Sequence, residues 1–194
     1  MQHRLFIAVD LPDELRRRLA RMVAGAPSGV RPVPAGQIHL TLHFLGDADD
    51  AALAALAAAL SRVRAQAFAI DLEGVGVFPP RGRPAVLWAG VGECDSLRRL
   101  HREIADIVAN CGFVLEPRPW VPHVTLARLA PHAPRSWTAA FLDRHAGLSA
   151  PGVAIEAFRL YESTRLPEGT VHAAAATVGL SPEDGGEQRE NPVG

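Results

Sequence analysis

The sequence predicts an α+β protein of two similar lobes, each a mainly antiparallel sheet with covering helices, flanking a central groove. Three observations carry that expectation. Short apolar runs with period-two alternation separate longer stretches whose apolar residues recur every three or four positions. Strand and helix signals follow one another so that the second half loosely repeats the first. A four-residue phrase also recurs, His39-Leu40-Thr41-Leu42 and His123-Val124-Thr125-Leu126, 84 residues apart and each time inside a strand-like run.

Taken in order, Arg4 to Asp10 is a short apolar run suited to a central strand. Pro12 suits the first turn of a helix, and Leu15, Leu19, Met22 and Val23 keep helical spacing to about residue 24. Arg16, Arg17, Arg18 and Arg21 fall mostly on the solvated side of that helix. Gly25 to Gly36 is loop with a brief strand at Val30 to Val33. The first motif strand is expected from Gln37 to Leu45, stopping at Gly46-Asp47, and Asp49-Asp50 opens an Ala- and Leu-rich helix to about Gln66. Phe68 to Val77 and Val86 to Val91 make a long-looped hairpin around the Pro79–Pro84 segment. Asp95 and Ser96 are candidate caps for a helix with the apolar face Leu97, Leu100, Ile104, Ile107 and Val108, closed by Gly112. The second motif strand is expected from Val121 to Leu129, starting at a sheet edge because Pro122 withholds a ladder N–H. A loop and short helix over 134–144 lead to a last strand pair, Val153 to Tyr161 and Thr170 to Val178. Residues 1–180 are read as one bilobal domain, and the polar, Gly- and Pro-rich 181–194 as a disordered tail.

With 48% hydrophobic and 21% charged residues the chain reads as an ordinary soluble globular protein. No apolar run approaches the roughly 20 residues that span a bilayer, and no signal peptide opens the chain. A cytoplasmic monomer is expected. Cys94 and Cys111 bracket one helix and would lie roughly 25 Å apart, too far for a disulfide. A net charge of −1 argues against a broad grip on duplex nucleic acid but allows a small or terminal phosphorylated substrate. All 20 basic residues are Arg. Without Lys, Schiff-base chemistry, a P-loop and a lysyl-nucleotide ligase intermediate are excluded.

The paired motifs carry the chemistry. On a strand His39 and Thr41 share one face, His123 and Thr125 likewise, while Leu40, Leu42, Val124 and Leu126 back them from the core. The plain alternative is a pair of half-buried strand histidines beside a β-favouring Thr. If the two faces meet, they supply what a phosphodiester needs. One imidazole is the base and one the acid, since both titrate near neutrality, and two hydroxyls steady the non-bridging oxygens. A metal on His39, His123 and His43 is the rival. No carboxylate or Cys accompanies either motif, and Thr is a poor ligand, so no metal or cofactor is expected.

The stretches RLFIAVDLP, IHLTLHFLG and RPWVPHVTLAR resemble the two-histidine phosphoesterase superfamily, and more closely the bacterial RNA 2′,3′-cyclic phosphodiesterases of the 2′-5′ RNA ligase family, over roughly residues 4 to 180. The resemblance implies metal-independent opening of 2′,3′-cyclic phosphate ends of RNA or nucleotides to 2′-phosphomonoesters. It implies His123 as the general base, His39 as the general acid on the 3′ oxygen, Thr41 and Thr125 on the phosphate, and Arg128 on the phosphate or adjacent nucleotide. Ligation to a 2′-5′ linkage would be the reverse reaction. A non-catalytic RNA-end or nucleotide-binding module on the same fold is the second reading.

Some positions depart from the family pattern. Ile7 stands where relatives often have an aromatic, which leaves base stacking to Phe44 or Trp120. Val121 replaces a basic or aromatic residue, and His172 stands where many relatives have Tyr. His43, on the His39 face if the strand stays regular, is either a rim cation or a plain exposed His. Arg118 either reaches phosphate or is a solvated loop residue. Strict alternation puts Arg128 on the wrong face, so its role requires a bulge or strand end. Tyr161 and Trp88 are assigned to the core.

Overall fold

The computed structural model describes residues 2–79, 81–166 and 169–182. Its elements are β1 (Gln2–Asp10), α1 (Asp13–Met22), β2 (Val30–Pro32), a 3₁₀ turn (Ala35–Gln37), β3 (His39–Asp49), α2 (Asp50–Leu60), β4 (Phe68–Phe78), β5 (Val86–Val91), α3 (Asp95–Asn110), β6 (His123–Leu129), α4 (Arg135–His145), β7 (Ser149–Ile155), β8 (Ala157–Leu166) and β9 (Gly169–Gly179). The strands form one sheet in the order β7-β4-β5-β6-β3-β1-β8-β9, with β2 added against β6. Every strand pairing in it is antiparallel. The fold is α+β, as the alternating signals require.

The motif strands β3 and β6 are neighbours at the centre, with four strands of the path on either side of their junction. They touch at a single registered pair, Leu40 opposite Val124, and diverge beyond it. Below that junction Leu40, Leu42, Val124 and Leu126 are buried in one core with Leu56 and Leu60 of α2 and Leu97, Leu100, Ile104 and Val108 of α3. Residues at a spacing of three and four therefore meet residues at a spacing of two, and this contact fixes which strand face is left for the groove.

Several expected boundaries move, each for a visible reason. α2 is capped as expected, with Asp49 Oδ1 accepting from Ala52 N at 2.8 Å, but it ends at Leu60, because Ala65 and Ala67 bond to the backbone of Ser181. That bridge also orders the first residue of the segment expected to be a disordered tail; residues 183–194 lie outside the described residues. The N-cap of α3 is Cys94 without a side-chain cap, not Asp95 or Ser96, while Gly112 takes the expected left-handed turn at φ +84°. The run expected as one strand from Val153 to Tyr161 is two. β7 pairs with β4, the chain crosses at Glu156, and β8 pairs with β1 and β9. No Gly or Pro marks that crossing. Finally, β6 lies at the sheet centre between β5 and β3. Pro122 precedes its first residue and so costs the ladder nothing.

Candidate active site

Both motif strands carry the same irregularity. Between β1 and β3 the register slips from Ile7–His43 to Ala8–Thr41, leaving Leu42 unpaired. Between β5 and β6 it slips from Leu87–Ala127 to Trp88–Thr125, leaving Leu126 unpaired. The fourth residue of each motif is thus an extra, buried residue, a bulge that resets the face of everything after it. The cleft-facing positions become His39, Thr41 and Phe44 on one strand and His123, Thr125 and Arg128 on the other.

These two bulges settle two open positions. Arg128 returns to the cleft face, which strict alternation denied it. His43 is turned away; it is only 7% exposed and does not share the His39 face expected of a regular strand. Its ring stacks on His101 of α3 at 4.1 Å, and its Nε2 lies 2.9 Å from the His101 carbonyl. Phe44 takes the cleft position instead and is 60% exposed. Trp120 joins the buried stack rather than the cleft, lying on His101 at 3.9 Å and donating from Nε1 to the Thr41 carbonyl at 3.2 Å. Arg118 is exposed and paired with Glu116.

The two catalytic candidates are held alike. His39 Nδ1 lies 2.7 Å from the Gln37 carbonyl and His123 Nδ1 lies 2.8 Å from the Val121 carbonyl, each two residues upstream. Each ring therefore donates from Nδ1 and keeps Nε2 for the cleft. Around the Leu40–Val124 pair, His39 is on the side of Thr125 and Thr41 on the side of His123. Each imidazole is flanked by the opposite strand's hydroxyl.

Their surroundings differ. The His39 ring stacks on Phe6 at 5.0 Å, and Phe6 in turn on Tyr161 at 5.1 Å. His172 meets His39 edge-on at 5.7 Å. Burial, then the nearby His172 charge, pushes the His39 pKa down to about 4, against the pull of the Gln37 carbonyl; His123 and Arg128 add to the depression. His123 instead meets the edge of Phe78 at 4.9 Å, with Trp88 behind it at 6.5 Å. Trp88 is seated there because Gly76 leaves room for it; a Cβ on Gly76 would stand 2.2 Å from the indole.

A cleft of about 380 Å³ opens over this floor, walled by His39, Thr41, Thr125, Arg128, Phe6 and His172 among others. His123 stands beside it, on the β6 side of Thr41. The sheet curls until the β8–β9 hairpin reaches over the cleft, where Gln37 Nε2 donates to the Thr170 carbonyl at 2.6 Å. That curl brings in His172, whose buried Nδ1 has no hydrogen-bond partner among the described residues. Ile7, where relatives often have an aromatic, is fully buried, and the aromatic of β1 that lines the cleft is Phe6. Tyr161, expected in the core, is half-buried behind Phe6, and its hydroxyl donates to Asp10 Oδ1 at 2.6 Å. Among the described residues no group of three or more His, Cys, Asp or Glu is arranged to hold a metal.

A family model described as the 2′-5′ RNA ligase superfamily matches residues 11–165. The chain belongs to the 2′-5′ RNA ligase superfamily. Among its superfamily relatives, a Thermus thermophilus protein named RNA 2′,3′-cyclic phosphodiesterase is 36% identical over 97% of this chain and 96% of its own length. An Archaeoglobus fulgidus protein of the same name is 33% identical over 87% and 96% respectively. The crystal structure of Escherichia coli LigT complexed with 3′-AMP superimposes with a TM-score of 0.75 at 29% identity, covering 93% of this chain and 99% of that one. The superfamily fold accordingly extends over both halves of the sheet.

The stack behind the cleft yields a stability prediction. Burial and the His43 charge lower the His101 pKa to about 4, and burial lowers that of His43. Folded values below the unfolded value of about 6.5 mean that the unfolded chain takes up protons first as pH falls. Stability contributed by the neutral rings is therefore complete above that value and drains away as pH falls toward 4. Denaturant unfolding at pH 7 and pH 5 is expected to show a smaller loss for His101→Phe than for the native chain.

Proposed function

We propose that the protein hydrolyses the 2′,3′-cyclic phosphate at the end of an RNA chain or of a nucleotide to a 2′-phosphomonoester, with two histidines and no metal. The observation that carries this reading is the matched pair of imidazoles. Both are held at Nδ1 by backbone carbonyls, which leaves each Nε2 for the substrate, and among the described residues the cleft lining includes Thr41, Thr125 and Arg128 but no Asp or Glu.

In the proposed reaction His123 Nε2 takes a proton from water as the water oxygen bonds to phosphorus. The bond from phosphorus to O3′ breaks, and His39 Nε2 gives its proton to that oxygen. Thr41, Thr125 and Arg128 donate to the non-bridging oxygens, where charge concentrates in the transition state. With a 5′-hydroxyl in place of water the same proton transfers join two ends as a 2′-5′ linkage, and no nucleoside triphosphate is consumed. The names of the relatives support the substrate class. The two free cysteines support a reducing compartment and so a cytoplasmic location, and among the described residues no helix is long and apolar enough to cross a membrane.

The environment of His39 sets a condition on this scheme. With a pKa near 4 its ring is neutral at neutral pH in the free protein. It acts as an acid only once the negative charge of bound substrate favours the imidazolium. The pH profile of kcat/KM, which reports the free enzyme, is therefore expected to fall on the acid side near pH 4. The corresponding limb in kcat should lie higher. Coincident limbs would contradict this account of the acid.

Turnover of a nucleoside 2′,3′-cyclic phosphate in EDTA tests the function, with the nucleoside 2′-phosphate as the expected product. Absence of turnover by pure protein would leave a binding module on this fold, and a 3′-phosphate product would reverse the leaving-group assignment.

A further inference from the structure

We propose that the cleft holds a second phosphate on Arg4 and Arg165, the phosphate on the 5′ side of the reacting nucleotide. The protein then selects oligonucleotide ends, or 5′-phosphorylated nucleotides, over a bare nucleoside 2′,3′-cyclic phosphate. The inference rests on the reaction proposed above.

Charge counting leads to it. Among the described residues three arginines, Arg4, Arg128 and Arg165, line the cleft, and no Asp or Glu does. A cyclic phosphate carries a single negative charge, and Arg128 faces it from the motif strand. The charges that bear on His39 are those of His172, His123 and Arg128; neither Arg4 nor Arg165 is among them. Arg128 lies on the motif strand β6, whereas Arg4 lies on β1 and Arg165 on β8. Among the described residues they make no ion pair or side-chain hydrogen bond, whereas Arg16, Arg98, Arg118 and Arg159 each pair with a carboxylate. Asp47 lies across from Arg4 in the β1–β3 ladder and forms no ion pair with it.

Their placement fits the step of a nucleic-acid chain. Leu5 pairs with Glu162, which sets Arg4 across from Ser163, and Arg165 follows two residues along β8 on the same face. At about 3.3 Å per residue, Arg4 stands roughly 7 Å along β1 from Phe6, on which the His39 ring lies. That is comparable with the distance from one phosphate to the next. An exposed aromatic ring, Phe44, lies across from Phe6 on β3, and a basic pair beside an aromatic ring is the composition of a groove for single-stranded nucleic acid. The overall charge of −1 leaves such binding to local cations.

The test compares kcat/KM for three substrates: a nucleoside 2′,3′-cyclic phosphate, the same nucleoside bearing also a 5′-phosphate, and a dinucleotide ending in the cyclic phosphate. A charge-assisted contact is worth about 10-fold or more, so the second and third are expected to exceed the first by that factor, less at high salt. In Arg4→Ala and Arg165→Ala the ratio is expected to collapse toward one. A native enzyme that treats all three alike, or variants that lose activity on all three in proportion, would overturn the inference while leaving the proposed reaction standing. No turnover of any substrate would instead sink the reaction. Calorimetric affinities for the 2′-monophosphate and the 2′,5′-bisphosphate then make the same comparison without chemistry, equal values ruling the subsite out.

Discussion

Replacing His123 by alanine is expected to lower kcat by about 10² to 10⁴, and His39→Ala by the same order, with KM changed far less. Each Nε2 moves one proton in the transition state, whereas Thr41, Thr125 and Arg128 are the groups assigned to hold the substrate phosphate. The two transfers belong to one step, so the losses should not add; the double variant is expected to be about as slow as the slower single one. Native-like circular dichroism would exclude misfolding. Full turnover in either single variant would remove that histidine from its role.

Arg128→Ala is expected to cost about 10² to 10³ in kcat/KM, the scale seen when a positioned donor to a developing oxyanion is removed. Lys at this position should recover only part of the loss, since an ammonium cannot match the two-pronged geometry of a guanidinium. A second readout separates this role from mere packing. The Arg128 charge is one of the causes that depress His39, so its removal should move the acid limb of kcat/KM upward. An unmoved limb would place the guanidinium away from the reacting centre.

The motifs made half the site legible, and a pair of bulges hid the rest. Period-two alternation correctly sends Leu40, Leu42, Val124 and Leu126 to the core and leaves His39, Thr41, His123 and Thr125 on the other face. Beyond Thr41 and Thr125 the alternation fails on both strands. No glycine or proline announces the extra residue, because Leu42 and Leu126 are ordinary core leucines that lose only a ladder partner. The same device therefore made His43 look like a cleft residue and Arg128 look like an outward one. In β1 the run RLFIAVD is apolar on both faces, so nothing in it distinguishes Phe6 from Ile7. Gln37 and His172 belong to the site through a curl of the sheet that brings the β8–β9 hairpin to the 3₁₀ turn, a long-range contact without a local signal. The carbonyls of Gln37 and Val121 that orient the two rings could have come from any residue. The antiparallel α+β class, by contrast, followed from strand and helix spacing that tertiary packing left unchanged.

The central claim is that both imidazoles serve one phosphate. Nitrogen-15 NMR of the ring nitrogens during titration with a nucleoside 2′-phosphate tests it most directly. The account predicts that Nε2 of His39 and Nε2 of His123 shift together at a single binding isotherm, while both Nδ1 atoms stay protonated on their backbone carbonyls. A shift in one ring alone, or two isotherms with different midpoints, would contradict it.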